Sequence, residues 1–208
     1  MIRNILFDLG GVIMDIRRSD CIEAFRKLGM AHPEQFLGEY VQSGPFMGIE
    51  NGSVTPQQFR DEMRSHLREG VTDDEIDRAF EAFLVGIPSR RLNALKELRS
   101  KGYKICLLSN TNPIMWEGKI SQEFRKEGES GPEAYFDGMV RSYAAKVMKP
   151  DPEIFRLAAR ECGIKPSETI FIDDSQTNLD AASREGFATL LVAPGEEFPT
   201  LLEERFGI

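Results

Sequence analysis

Near the amino terminus the chain reads Ile5-Leu6-Phe7-Asp8-Leu9-Gly10-Gly11-Val12-Ile13. Its apolar run reads as a buried strand, Asp8 closes that run, and two glycines then turn the chain. A carboxylate is thereby set at the carboxyl end of a strand, where open α/β sheets bind their ligands. Asp and Gly are also common at ordinary strand-to-loop junctions, so the stretch needs support from elsewhere in the chain.

Four more short runs rich in branched and aromatic residues join residues 2–7 as strand candidates: 104–108, 138–143, 169–172 and 188–192. Helical patterns lie between most of them, which favours a parallel sheet built from crossover units. One helix carries Leu92, Leu95 and Leu98 and stops at Gly102. Another opens at Asp151-Pro152, with Asp as cap and Pro in the first turn. It carries Ile154, Phe155, Ala158 and Cys162 and ends at Gly163. A third runs from about residue 175 to 185 and is closed by Gly186.

Residues 15–85 differ in character, with helical periodicity and no convincing strand. Ile22, Phe25 and Leu28 mark one helix. Thr55-Pro56-Gln57-Gln58 and Thr72-Asp73-Asp74-Glu75 are capping boxes that lead into Phe59, Met63 and Leu67 and into Ile76, Phe80 and Phe83. The expected organisation is an α/β core of residues 1–14 and 86–208, with residues 15–85 a helical cap inserted after the first strand. Residues 111–137 read as the least regular stretch, on the ligand side of the sheet.

The chain has 208 residues, 41% of them hydrophobic, and a formal net charge of −8. That is enough apolar material for a real core. The acidic balance argues against nucleic acid as a partner, since phosphate backbones call for clustered Lys and Arg. No run approaches the ~18–20 apolar residues of a membrane span, and the amino terminus lacks a secretory pattern, so the cytoplasm is the expected compartment. Cys21, Cys106 and Cys162 show no metal or redox spacing.

Three further segments give the Asp8 stretch its company. Leu107-Leu108-Ser109-Asn110-Thr111 is an apolar strand ending in small polar residues, able to hold a phosphoryl group through a hydroxyl and backbone amides. Lys149-Pro150-Asp151-Pro152 places a lysine just before a proline-initiated helix, which can fix its ammonium at the sheet edge. Phe171-Ile172-Asp173-Asp174 ends a buried strand in two adjacent acids, with Asn178 four residues on. Acids crowded in this way repel unless a cation relieves them, and hard oxygen ligands suit magnesium.

In this order the four segments resemble the haloacid dehalogenase superfamily, most of whose members are phosphatases. The resemblance spans nearly the whole chain. It is greatest to the subgroup whose first motif reads Asp-Leu-Gly followed by Asn or Gly, which includes phosphatases acting on glucose 1-phosphate. It implies a Rossmann-like parallel sheet with helices on both faces and an inserted cap. Asp8 then matches the nucleophile, which forms an aspartyl-phosphate. Magnesium would be held by Asp8, the Gly10 carbonyl and Asp174, with Asp173 binding directly or through water. Ser109 and the Asn110 amide would hold the phosphoryl oxygens, and Lys149 would neutralise charge on Asp8 and the phosphate. The implied substrate is a small phosphate ester, with sugar phosphates favoured.

One position departs from the pattern. Phosphatases of that superfamily usually carry a second Asp two residues after the nucleophile as general acid and base, and here that residue is Gly10. General acid–base catalysis is worth ~100- to 10,000-fold. The departure keeps two alternatives open: a metal-free haloacid dehalogenase, and a non-catalytic phosphate-binding or regulatory protein. For a phosphatase, it predicts a preference for acidic leaving groups such as sugar 1-phosphates and aryl phosphates. If another residue supplies the acid, Asp15 is the first candidate. Trp116, the only tryptophan, reads as packing rather than sugar stacking, and His32 and His66 carry no assigned chemistry.

Overall fold

The computed structural model describes residues 1–38 and 42–208. Strand β1 (Asn4–Phe7) leads through the Asp8 loop to β2 (Asp15–Ile16). Helices α1 (Arg18–Lys27), α2 (Gly44–Glu50), α3 (Pro56–Arg64) and α4 (Asp73–Glu81) follow, and the chain returns through β3 (Leu84–Gly86). Next come α5 (Ser89–Ser100), β4 (Lys104–Ser109) and a helical run from α6 (Pro113–Met115) to α7 (Ser121–Arg125). The chain closes with β5 (Gly138–Arg141), α8 (Ser142–Ala145), α9 (Pro152–Glu161), β6 (Thr169–Asp173), α10 (Gln176–Arg184), β7 (Ala188–Leu191) and α11 (Phe198–Phe206).

Five strands form one parallel sheet in the order β5-β4-β1-β6-β7. Side chains alternate across it, as a period of two requires. Ile5, Phe7, Ile105, Leu107, Ile170 and Ile172 enter one core with α5 and α11, while Leu6, Cys106, Leu108 and Phe171 enter a second with α9 and α10. Helices on both faces of a parallel sheet are the architecture expected from the sequence. β1 lies between β4 and β6, with Phe7 level with Leu107 and Ile172. One residue further, Asp8 is therefore brought level with Leu108 and Asp173.

The helical block is packed around aromatic rings, with Phe46 of α2 in edge-on contact with Phe25, Phe59 and Phe80. Both capping boxes form, Thr55 with Gln58 and Thr72 with Glu75. Residues 39–41 of the block lie outside the described residues. The expectation of no strand here needs correction. Asp15 pairs with Gly86 and Ile16 with Leu84 in an antiparallel ribbon where the chain enters and leaves the block. Strands of two and three residues are too short to show an alternating pattern.

Two further corrections concern local structure. Residues 142 and 143, expected in a strand, begin α8 instead. The stretch after β4 is more regular than its composition suggests, because π-helical Trp116–Ile120 joins α6 to α7. Gly118 breaks the repeat with φ −85° and ψ −113°. There the Glu81 carboxylate accepts the Lys119 N–H at 2.8 Å, in space that a Cβ on Gly118 would occupy.

Candidate active site

The candidate site lies where β1, β4 and β6 end. Asp8 follows β1, Ser109 ends β4 and Asp173 ends β6, so sheet order alone gathers residues more than 160 positions apart. Lys149 arrives from the loop before α9, whose start is fixed by the Asp151 carboxylate accepting the Glu153 N–H at 2.9 Å. The Asn110 side chain clamps the Lys149 backbone from both sides, donating to its carbonyl at 3.0 Å and accepting its N–H at 2.9 Å.

Lys149 Nζ lies 2.7 Å from Asp8 Oδ1 and 2.7 Å from Asp173 Oδ2. Burial alone would lower this ammonium, but Asp173 and Asp8 outweigh it and hold Lys149 above its usual range. Asp173 is fully buried and well supplied with donors. Besides Lys149, it accepts the Ser175 N–H at 2.8 Å and Asn178 Nδ2 at 3.1 Å. Asp8 experiences the opposite balance: burial raises its carboxyl, Lys149 opposes this, and Asp173 and Asp174 add to the rise. Burial, then the Asp173 charge, pushes Asp174 up to about 6.

Oxygens of Asp8, Asp173 and Asp174 all fall within 4.8 Å of one another. The turn that follows Asp8 is built for this approach. Gly11 has φ +74°, and a Cβ there would stand 2.2 Å from Asp174 Oδ2. Three carboxylates against one ammonium leave an excess of negative charge in a largely enclosed place, and their hard oxygens suit a small divalent cation. Among the described residues, the backbone N–H groups of Leu9 and Gly10, which follow Asp8, and of Asn110, at the neighbouring strand end, make no hydrogen bond.

A cleft of about 550 Å³ opens here, within the range of small-molecule sites. Asp8, Gly10, Asn110, Lys149 and Asp174 line it from the core. Asp173 sits beneath, and Ser109 lines an adjoining recess of about 50 Å³. The structure thus brings together all seven residues singled out from the sequence.

Sequence reasoning missed Gln42, Glu50, Ile16 and Phe83, which line both spaces from the helical block. Only an acid closing the apolar run of α2 hinted at Glu50. Asp15 is engaged elsewhere, 2.7 Å from Arg91, and does not line the cleft. Trp116 is buried with the Arg141 guanidinium over its ring.

Comparison with known proteins bears on this geometry. The family model of haloacid dehalogenase-like hydrolases matches residues 2–186. D-ribitol-5-phosphate phosphatase of Bacteroides thetaiotaomicron is 36% identical over 198 residues, 95% of each chain. A solved structure of a HAD family enzyme from the same organism, an Asp-to-Ala mutant in complex with magnesium and inorganic phosphate, superposes with TM-score 0.91. It is 38% identical, with 97% of this chain and 99% of that one covered. The (S)-2-haloacid dehalogenase of a Pseudomonas species is 26% identical over 195 residues, 90% of this chain and 81% of that one.

Proposed function

The chain belongs to the haloacid dehalogenase-like hydrolase family, and from that premise we propose that it is a magnesium-dependent phosphatase of small polyol or sugar phosphates, acting through an aspartyl-phosphate on Asp8. The observation that carries this reading is the cluster of Asp8, Asp173 and Asp174, with a single ammonium bridging the first two. Such a cluster is repulsive without a divalent cation. The space left by Gly11 beside Asp174 fits the same purpose.

Asp8, the Gly10 carbonyl and Asp174 would hold the magnesium ion. Asp173, whose oxygens are already occupied by donors, would reach it through water and serve mainly to fix Lys149. Bound there, magnesium supplies positive charge that lets a phosphate dianion approach a carboxylate. Asp8 attacks phosphorus, Lys149 neutralises charge on both anions, and the Asn110, Leu9 and Gly10 amides with the Ser109 hydroxyl receive the phosphoryl oxygens. Residues 15–85 act as the cap over this site.

Three observations support the substrate class. The relative above is named for a pentitol 5-phosphate. The cleft's size suits such a molecule. Gln42 is buried at the cleft with its side-chain oxygen unpartnered among the described residues, an acceptor suited to a substrate hydroxyl. A haloacid dehalogenase is disfavoured, because that reaction uses no metal, and the two extra acids beside the nucleophile call for one. The test is phosphate release from pentitol, hexose and aryl phosphates, alongside halide release from 2-chloropropionate, with and without magnesium. Magnesium-dependent phosphate release supports the reading; halide release alone would overturn it.

A further inference from the structure

The family's usual acid–base position is Gly10, which cannot move a proton. Asp15, the next acid along the chain, is held by Arg91 outside the cleft. A different carboxyl shares the cleft with Asp8. Glu50 ends α2 and lines both the cleft and its recess, together with Gly10 and Asn110.

Its placement is rigid. One turn earlier, Phe46 locks α2 into the aromatic core. The Glu50 carbonyl accepts the Ser142 hydroxyl at 2.7 Å, and the same hydroxyl accepts the Thr111 N–H at 2.9 Å. Glu50 is thus tied to the loop that carries Asn110. Just beyond it, Gly52 packs so closely that a Cβ would stand 2.2 Å from the Tyr143 carbonyl.

Among the described residues, no donor reaches the Glu50 carboxylate, and burial pushes its carboxyl up to about 8. The charged groups that share its cleft are Asp8, Asp174 and Lys149. On α3, which packs against α2, Arg60 is paired with Asp77, and Arg64 with Asp61 and Asp73. On α8, the Tyr143 hydroxyl is held by Arg141. A carboxyl raised in this way is suited to hold a proton near neutral pH.

We propose that Glu50 is the general acid of the first step and the general base of the second, replacing the acid that Gly10 lacks. The inference rests on the phosphatase reading above. In the first step an Asp8 oxygen bonds to phosphorus, the ester P–O bond breaks, and its oxygen takes the Glu50 proton to leave as a neutral alcohol. In the second, the Glu50 carboxylate takes a proton from water as that water bonds to phosphorus. The bond between the Asp8 oxygen and phosphorus breaks, releasing inorganic phosphate and restoring the Asp8 carboxylate and the protonated Glu50.

The test uses Glu50→Gln, which keeps the shape of the neutral carboxyl and should leave the fold intact. Turnover of a primary alkyl phosphate is compared with that of an aryl phosphate at saturating magnesium. Loss of the acid should lower alkyl phosphate turnover ~100- to 10,000-fold. The aryl phosphate, whose leaving group needs no proton, should keep a fast first step and give a burst of phenol before a slow steady state. The wild type should show little dependence on leaving-group acidity and should lose kcat/KM on alkyl phosphates as pH rises through about 8. That limb should be absent from the variant.

Gly10→Asp provides a rescue. A Cβ at Gly10 meets only Ile16, at 3.5 and 3.7 Å, which is ordinary contact. The double variant Gly10→Asp with Glu50→Gln should regain alkyl phosphate turnover. Wild-type alkyl turnover in Glu50→Gln, or a change in KM alone, would overturn the role of Glu50. Absence of magnesium-dependent turnover in the wild type would instead overturn the phosphatase reading itself.

Discussion

Lys149 Nζ lies 2.7 Å from Asp173 Oδ2, and neither side chain has appreciable exposure to solvent. The pair explains why the chain carries two adjacent acids at the end of β6. Asp173 faces inward, takes donors from Ser175 and Asn178, and fixes the lysine, while Asp174 faces the cleft. Lys149 in turn reaches Asp8.

Lys149→Ala should therefore fail in two separable ways. Turnover should fall by ~2–4 kcal/mol of transition-state stabilisation, the scale of a lost oxyanion donor. Metal-free stability should fall by ~3–5 kcal/mol, because two buried carboxylates lose their counter-ion. Steady-state kinetics and urea unfolding measure the two effects independently. Near-normal kcat would contradict the role given to this lysine.

Gly11→Ala tests the metal site from the side of the loop. The new methyl would collide with Asp174 Oδ2 and would strain a backbone at φ +74°. Magnesium affinity should weaken ~10- to 100-fold, as when a metal ligand loses its support. Calorimetric titration with magnesium reads this without relying on turnover. An unchanged affinity would place the ion away from Asp174.

The link between the helical block and the core carries an acid-sensitive contact. Buried Arg91 holds Asp15, the Ile13 carbonyl and Glu197, and hydrogen bonds from Arg90 and Arg91 bring the Glu197 carboxyl down to about 2. A lowered folded-state pKa contributes stability above the ordinary carboxylate range, and that contribution is lost as pH falls from about 4.5 towards 2. Glu197→Gln should be less stable than wild type at neutral pH, and the difference should shrink through that window. A constant difference in chemical unfolding from neutral pH to pH 2 would contradict this account.

The core of the fold was legible because its signals are local and repeated. Each sheet strand is a short apolar run, and Asp151-Pro152 and the two threonine capping boxes declare their helices in a few residues. The site was legible for a related reason: Asp8, Ser109 and Asp173 all stand at strand ends, and a parallel sheet aligns such ends. What stayed hidden depends on contacts distant in sequence. The β2–β3 ribbon offers too few residues for a pattern, and the π-helical turn at Gly118 exists because Glu81 inserts there. Glu50 shows no motif; only the packing of α2 by Phe46 and the Ser142 bridge brings it to the cleft.

Asp8 as the nucleophile of a magnesium-dependent phosphoryl transfer can be caught in the act by acid-quenching the enzyme during turnover of an aryl phosphate and locating the phosphoryl group by peptide mass spectrometry. The expected result is a phosphoryl group on the peptide and side chain of Asp8. It should accumulate in Glu50→Gln and be absent after chelation and in Asp8→Asn, which should retain the fold but lose turnover. Hydrolysis surviving in Asp8→Asn, or a phosphoryl group on another residue, would contradict the account.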